Sequence, residues 1–223
     1  MSDFVIHGII GSPFVRSVLM ALEEKGLSEK GGGWRLRPLG PGASKGPEHL
    51  ARHPFGRVPA VEHGDFQIYE TQAVLRYIDR VQPEPSLTPA DPRQAARMDQ
   101  IMGVNDWYLF AHASAPIGFP RVVAPRIGFP ADGSKVADAL PRAMVCFSEL
   151  ARLLGDQPFL AGAALSLADL MVAPQLSLLM ECEEGQALMA PLPGLKAWLA
   201  RMEERPSMIA TTWERLEQTA RAA

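Results

Sequence analysis

Four prolines fall within twelve residues, in VQPEPSLTPADP at 81–92, and they separate two parts of the chain that differ in pattern. Because proline lacks a backbone N–H and restricts the residue before it, this composition predicts a linker or a domain boundary. Strand and helix patterns alternate before the linker, whereas no convincing strand pattern follows it. A chain of 223 residues is long enough for two small domains. We therefore predict a first domain at 1–80, a linker at 81–92 and a second domain at 93–223.

The first part carries the strand patterns, which are rich in β-branched or alternating apolar residues. They are FVIHG at 4–8, WRLRPL at 34–39 and the two halves of RVPAVEHGDFQIY at 57–69. The last two are joined at His63-Gly64-Asp65, which is a hairpin signal. Helical spacing occurs in three segments, from Pro13 to the EEKG stop, at 47–53 and at 71–80. This order of elements predicts a small α/β sandwich, with helices covering the sheet.

The second part is predicted to be all-helical, with helices at about 93–115, 134–154, 167–183, 194–204 and 206–220. The sequence IGFP occurs twice within 117–133, and we interpret this stretch as an irregular loop, because two copies are too few for a structural repeat. The clearest helix start is LSLADL, where Ser166 can cap the main chain of Asp169 and the Asp169 carboxylate can reach back to the Ser166 amide. We interpret Asp169 as a folding residue rather than a catalytic acid.

Composition excludes several classes of function. A formal net charge of −3 gives no basic surface for nucleic acid. No apolar run approaches the roughly 18 residues of a membrane span. The N-terminus has no basic stretch ahead of its apolar residues, so we predict no signal peptide and a cytoplasmic location. The two cysteines, Cys146 and Cys182, are interpreted as buried free thiols, and the five histidines show no metal-binding spacing, so we predict no metal.

Three fragments in the same order resemble a known family. The segment 52–79 carries a V-P step and, after the hairpin, an E-T pair that opens a helix; PFLAGAALSLADLMVAP at 158–174 carries the capping box, and PLPGLKAWLARMEERPSM follows at 191–208. Together they resemble the cytosolic glutathione transferases, in which a thioredoxin-like α/β domain precedes an all-α domain. ASKGPEHLARHPFGRVPA at 43–60 is particularly similar to the phi class, and GSPFVRS at 11–17 also resembles the tau class.

The resemblance implies a glutathione site in the first domain. Glu70 supplies an anion for the γ-glutamyl ammonium, and Thr71 offers its amide and hydroxyl to the γ-glutamyl carboxylate from a helix N-terminus. The family usually has serine at the position of Thr71. The Val58–Pro59 peptide bond is cis in the family, which would turn the Val58 backbone towards the cysteinyl moiety for strand-like pairing. Without the family, the V-P step would be interpreted as an edge-strand proline.

Two basic residues are implied near the glycyl carboxylate. Lys45 aligns with a lysine that the phi and tau classes use there. Arg57 occupies a position that is often Gln in the phi class and Lys in the tau class, and a guanidinium can still reach a carboxylate. Ser44 stands where phi enzymes usually carry histidine. Without the resemblance, Lys45 and Arg57 would be interpreted as solvated surface charges.

Ser12 lies at the predicted junction of the first strand and the first helix, where it could be a helix cap, a catalytic hydroxyl or both. By resemblance to both classes it is the serine that contacts the glutathione sulfur. A thiol titrates near 8.5, so a hydroxyl donor and a helix N-terminus would favour the reactive thiolate. Arg16 and Ser17 are the nearby rivals for this role. No tyrosine precedes Tyr69 and no cysteine precedes Cys146, which argues against the tyrosine-dependent and mixed-disulfide classes.

The second substrate is expected between the domains, against apolar side chains. Its candidates are Phe14, Met102, Trp107 and Phe110, although the last three have the helical spacing of an ordinary core stripe. The resemblance thus implies transfer of the glutathione sulfur to a hydrophobic electrophile by a homodimer, with glutathione as co-substrate and no other cofactor; whether peroxide reduction accompanies it is open. The alternative is a non-catalytic protein of the same fold that binds apolar ligands or a protein partner.

Overall fold

Four strands form one mixed sheet in the computed structural model, which describes residues 3–130 and 132–222. The strands are β1 (Phe4–Gly8), β2 (Trp34–Pro38), β3 (Ala60–His63) and β4 (Phe66–Tyr69). Their order in the sheet is β2-β1-β3-β4. β1 is parallel to β2 and antiparallel to β3, which is in turn antiparallel to β4. The predicted strands and the hairpin at His63-Gly64-Asp65 are therefore confirmed.

Three helices follow the strands of this sheet, namely α1 (Pro13–Glu24), α2 (Pro47–Leu50) and α3 (Thr71–Val81). A short 3-10 helix, Ala43–Lys45, precedes α2. Four apolar residues recur at helical spacing in α1 and are buried, because they share one face of the helix; they are Val15, Val18, Leu19 and Leu22. α1 packs against α3.

The chain separates into two compact units, and the first includes the end of the chain. It consists of Met1–Ser86 with Arg205–Ala223, and the second consists of Leu87–Glu204. In the first unit, α10 (Pro206–Ala210) packs against α1, and α11 (Trp213–Ala222) follows α10. Arg205 holds the Glu24 carboxylate with two hydrogen bonds, of 2.8 and 2.7 Å. The predicted domain boundaries, with a first domain at 1–80, a linker at 81–92 and a second domain at 93–223, stay a prediction.

The second unit is helical throughout its regular structure. Its helices are α4 (Pro92–Val104), a π-helical segment (Asn105–Val123), α5 (Ala124–Arg126), α6 (Val136–Leu154), α7 (Leu167–Leu179), α8 (Glu183–Met189) and α9 (Pro193–Glu203). α7 is buried on nearly every side and forms the core of the unit. At its start, Asp169 Oδ2 accepts the Ser166 amide at 2.9 Å, which confirms the predicted capping box.

Three predictions about the second part are wrong, and one of them is the helix predicted at 206–220, which is interrupted between α10 and α11. The first IGFP lies inside the π-helical segment instead of a loop; the second, from Ile127, is outside helices, and Ala131 lies outside the described residues. Pro116 and Pro120 lie within this segment, where the wider turns of a π-helix accommodate them although each removes a backbone donor. The helix predicted at 167–183 ends at Leu179, and the separate helix α8 was not predicted. Within the described residues, no helix is long and apolar enough to cross a membrane.

Candidate active site

The register of the sheet brings most of the predicted site residues to one end of it. His7 pairs with Ala60, and Ala60 pairs with Tyr69. β1 and β4 therefore end at the edge of the sheet where β3 begins. Ser12 follows β1, Glu70 follows β4 and Pro59 precedes β3, so these three residues lie near the same edge. β2 is parallel to β1 and ends level with it, so the loop that carries Lys45 also starts there. Residues from distant parts of the sequence thus share one edge of the first unit.

Ser12 follows a tight turn between β1 and α1. The Ser12 amide donates to the Ile9 carbonyl at 3.0 Å, and Gly11 has a φ of +90°, as the third residue of a type II turn requires. Ser12 is extended and is the N-cap of α1, since its Oγ accepts the Val15 amide at 3.4 Å. The first turn of α1 contains no acidic residue. The half-buried hydroxyl keeps a proton to donate, beside the positive end of a helix dipole.

The two rivals of Ser12 have other partners in the first unit. Ser17 is fully buried, and its Oγ donates to the Pro13 carbonyl at 2.9 Å. Arg16 donates from Nη2 to the Met208 carbonyl at 2.9 Å and from Nε to Thr211 Oγ1 at 3.4 Å. Ser17 therefore presents no hydroxyl to solvent, and the Arg16 guanidinium is turned towards α10.

Glu70 and Thr71 open α3, as predicted. Glu70 has a φ of +70°, an unusual backbone conformation for a residue with a side chain, and strain of this kind is concentrated at functional sites. Its side chain is exposed, whereas Thr71 is 7 % exposed at the first position of the helix. Burial lowers the pKa of the neighbouring His53, although the charge of Glu70 acts in the opposite direction. Burial thus makes the imidazole harder to protonate, and the exposed Glu70 carboxylate can serve a ligand cation.

Lys45 and Arg57 are carried by two loops that lie against each other. Lys45 Nζ donates to the Phe55 carbonyl at 3.1 Å, and the Lys45 side chain crosses over Gly56, where a Cβ would lie 2.8 Å from Lys45 Cδ. Gly56 has a φ of +58°, so glycine is favoured there for two reasons. Both basic side chains are exposed. The adjacent Val58–Pro59 peptide bond is cis, as the resemblance implied.

Sequence reasoning missed the two histidines that support these loops. His49 and His53 are each 2 % exposed, and one ring nitrogen of His49 lies 2.7 Å from the Arg57 carbonyl oxygen. The His53 ring packs on Tyr69, with 4.5 Å between ring centroids, and so connects the loop to the end of β4. The signal in the sequence was their spacing of four, which places two side chains on the same face of a helical turn.

The candidates for the second substrate differ in burial. Phe14 is half-buried at the second position of α1, in the first unit. In the second unit, Met102 is fully buried on α4, Phe110 is half-buried, and Trp107 is 76 % exposed in the π-helical segment. Full burial agrees with the core interpretation that was left open for Met102, whereas Trp107 has the exposed ring that ligand binding needs. Among the described residues, no cluster of His, Cys, Asp or Glu is arranged to hold a metal ion.

The fold and the arrangement of these residues define a class of protein, in which a thioredoxin-like unit is combined with a helical unit. A family model of the glutathione S-transferase N-terminal domain matches residues 6–86, and a model of the glutathione S-transferase C-terminal domain matches residues 135–201. Glutathione S-transferase 4 of Zea mays is 32 % identical over 209 residues, which cover 91 % of this chain and 88 % of the relative. The chain belongs to the glutathione S-transferase family.

Other relatives agree in fold and include phi-class plant enzymes. Glutathione S-transferase F12 of Arabidopsis thaliana is 30 % identical over 77 % of this chain and 78 % of its own length. The crystal structure of glutathione transferase F7 from Populus trichocarpa superposes with a TM-score of 0.81 at 27 % identity, covering 93 % of this chain and 97 % of that one. Glutathione S-transferase I from maize, solved in complex with an atrazine glutathione conjugate, has a TM-score of 0.78 at 29 % identity, covering 94 % and 96 %.

Proposed function

We propose that the protein conjugates glutathione to hydrophobic electrophiles through a serine-type thiolate site. The observation that carries this is the start of α1, where a half-buried hydroxyl caps a helix whose first turn has no acidic residue. Ser12 donates a hydrogen bond to the glutathione sulfur, and the helix dipole lowers the energy of the negative charge. The thiol loses its proton to solvent, and the thiolate then attacks the electrophilic carbon. A C–S bond forms while the leaving group departs with its electron pair.

The rest of the first unit binds and orients glutathione. Glu70 pairs with the γ-glutamyl ammonium, and Thr71 binds the γ-glutamyl carboxylate at the start of α3. The backbone of Val58, next to Pro59, pairs with the cysteinyl moiety. Lys45 and Arg57 serve the glycyl carboxylate, which agrees with their exposure on adjoining loops. Holding the thiolate in place gives catalysis by proximity. Phe14, Trp107 and Phe110 remain the candidates for binding the electrophile, whereas the full burial of Met102 favours its interpretation as a core residue.

The direct test measures conjugation and thiolate formation together. Purified protein is mixed with glutathione and an activated aryl halide, and the absorbance of the conjugate is followed. Ser12→Ala should cut turnover at least tenfold and raise the pKa of bound glutathione by about one unit or more, with a smaller effect on affinity. Unchanged turnover in this variant would remove Ser12 from the mechanism. A wild-type protein that binds glutathione but forms no conjugate would favour the non-catalytic alternative.

Glu70→Gln provides an independent test of binding. The substitution keeps the shape of the side chain and removes its charge, so glutathione binding should weaken by about 1.5–3 kcal/mol, as expected for a charge-assisted contact. Isothermal calorimetry measures this difference. Equal affinities of the variant and the wild type would show that the ammonium binds elsewhere.

We also propose that the protein is a cytoplasmic homodimer. A two-fold interface would be self-complementary and bury more than about 1,200 Å², with contributions from α3 and the start of α4. Arg76, Arg97 and Asp99 are the charged candidates there, and the latter two are exposed in the single chain. Light scattering of a dilute solution should give a mass near twice 24.3 kDa. A monomer that still conjugates glutathione would contradict the need for this assembly.

A further inference from the structure

The indole of Trp213 lies on the backbone of Gly11, one residue before Ser12. A Cβ at Gly11 would lie 2.5 Å from Trp213 Cη2 and closer still to Cε3 and Cζ3, so the benzo ring occupies the place of a Gly11 side chain. Gly11 also has a φ of +90°, which residues with a side chain rarely adopt. The turn that aims Ser12 therefore has an aromatic ring against its most flexible residue.

The ring is held in place by its own helix. Trp213 Nε1 donates to Glu217 Oε1 at 2.9 Å, one turn further along α11. This bond fixes the pyrrole edge, while the three atoms next to Gly11 all belong to the benzo edge. The residue is half-buried, so the ring is packed on one side and still borders solvent.

The segment that leads to Trp213 is also attached to α1. Arg205 and Ser207 bond to the Glu24 carboxylate at the C-terminal end of α1, and Arg16 bonds to the Met208 carbonyl near its N-terminal end. The contact between Trp213 and Gly11 continues this series beyond the N-terminus of α1. The segment 205–213 thus follows α1 to the turn that precedes Ser12.

We propose that Trp213 is a positioning residue for the Ser12 hydroxyl. The inference rests on the proposed role of Ser12 as donor to the thiolate. Glycine gives the turn its conformation but also lets it move, and the Ser12 oxygen moves with it. An error of about 1 Å in such a contact can cost two orders of magnitude in rate. The ring restricts Gly11 from outside the turn and so keeps the hydroxyl aimed at the sulfur.

The test compares Trp213→Ala and Trp213→Phe with wild type. The thiolate absorbance of bound glutathione is titrated against pH, and kcat and KM are measured on the same samples. Trp213→Ala should raise the pKa of the bound thiol by about half a unit and lower kcat about threefold or more, with less change in KM. Phenylalanine keeps a ring but reaches less far than tryptophan, so the thiol pKa and kcat of Trp213→Phe should lie between those of wild type and Trp213→Ala. Glu217→Ala removes the Nε1 bond but keeps the ring, so it should raise the pKa of the bound thiol by less than Trp213→Ala does.

The outcomes separate this inference from the proposal on which it rests. If the pKa of the bound thiol rises in Ser12→Ala but not in Trp213→Ala, Trp213 is not a positioning residue. If the pKa of the bound thiol rises in neither variant, Ser12 does not stabilise the thiolate, and the inference about Trp213 is wrong as well. A lower melting temperature with an unchanged thiol pKa would show that Trp213 is merely structural. Should Trp213→Ala fail to fold, a wild-type thiol pKa in Trp213→Phe overturns the inference.

Discussion

Two helices of this protein begin with a serine cap, and the two caps are built in opposite ways. Ser166 at the start of α7 is fully buried, and Asp169 accepts hydrogen bonds from its amide and from its hydroxyl. The same carboxylate accepts the Leu160 amide and Trp198 Nε1. Ser12 at the start of α1 is half-buried, has one long bond to Val15 and has no acid in its first turn. The N-terminus of α7 thus has an acidic side chain of the protein as its partner, whereas the first turn of α1 has none.

The difference shows how one local motif serves either folding or chemistry. A helix N-terminus carries a partial charge of roughly +0.5 and unpaired amides, so it attracts an anion. At α7 the acidic partner is Asp169, which joins the helix start to the segments around Leu160 and Trp198, and no free donor remains for a ligand among these described residues. At α1 the sequence supplies no carboxylate, which leaves the site suited to a thiolate from outside. The four predictions that follow test this contrast.

The largest effect is expected at the Ser166–Asp169 capping box of α7. Asp169→Ala would leave buried donors without an acceptor, each costing about 1–3 kcal/mol, so stability should fall by about 3 kcal/mol or more. The midpoint of urea unfolding measures this loss. Asp169→Asn retains one acceptor oxygen and should lose less. A loss below about 1 kcal/mol in Asp169→Ala would contradict the contrast, because the cap would then not be needed for folding.

The second largest effect is expected when an acidic residue replaces Ser12 at the start of α1. Ser12→Asp places a carboxylate where the thiolate would bind, and aspartate is also a good helix cap. We expect the protein to remain folded, with turnover reduced more than tenfold and the pKa of bound glutathione raised by more than in Ser12→Asn, which caps without a charge. Thiolate absorbance and conjugation rates on both variants check this. Equal pKa values in the two variants would mean that the sulfur does not lie at this helix end.

A smaller effect concerns the serine hydroxyls as caps. Ser12→Ala should cost about 0.5–1 kcal/mol of stability, because its bond to Val15 is long, whereas Ser166→Ala should cost about 1–2 kcal/mol. Unfolding midpoints of the two variants, measured side by side, give the comparison. A reversed order would show that Ser12 is primarily a structural cap.

The smallest effect is expected at the rival hydroxyl. Ser17→Ala removes the buried bond to the Pro13 carbonyl and no group that faces the sulfur, so turnover should stay within about twofold of wild type. The conjugation assay checks it with Ser12→Ala as the reference. A loss as large as that of Ser12→Ala would transfer the catalytic role to Ser17.

Local signals in the sequence predicted the parts of the fold that depend on neighbours. The β3–β4 hairpin and the start of α7 follow from short patterns, and the hairpin turn sets the register between β3 and β4. Residues 105–115 were predicted to be helical, but the rest of the π-helical segment could not be predicted, since Pro116 and Pro120 are helix-breaking residues while tertiary packing keeps the segment helical. His53 and Trp213 were missed for a related reason, because their partners Tyr69 and Gly11 are set by the folded chain and not by spacing.

The return of the last helices to the first unit has a consequence for synthesis on the ribosome. Domains generally fold as units while the chain emerges, beginning from the N-terminus. Here roughly 120 residues separate Ser86 from Arg205, a delay of about 6–24 s at usual elongation rates. During that time the Glu24 carboxylate lacks its hydrogen bonds to Arg205 and Ser207, and the turn at Gly11 lacks its contact with Trp213. The start of α1 is thus completed only by a segment that is translated after the whole second unit.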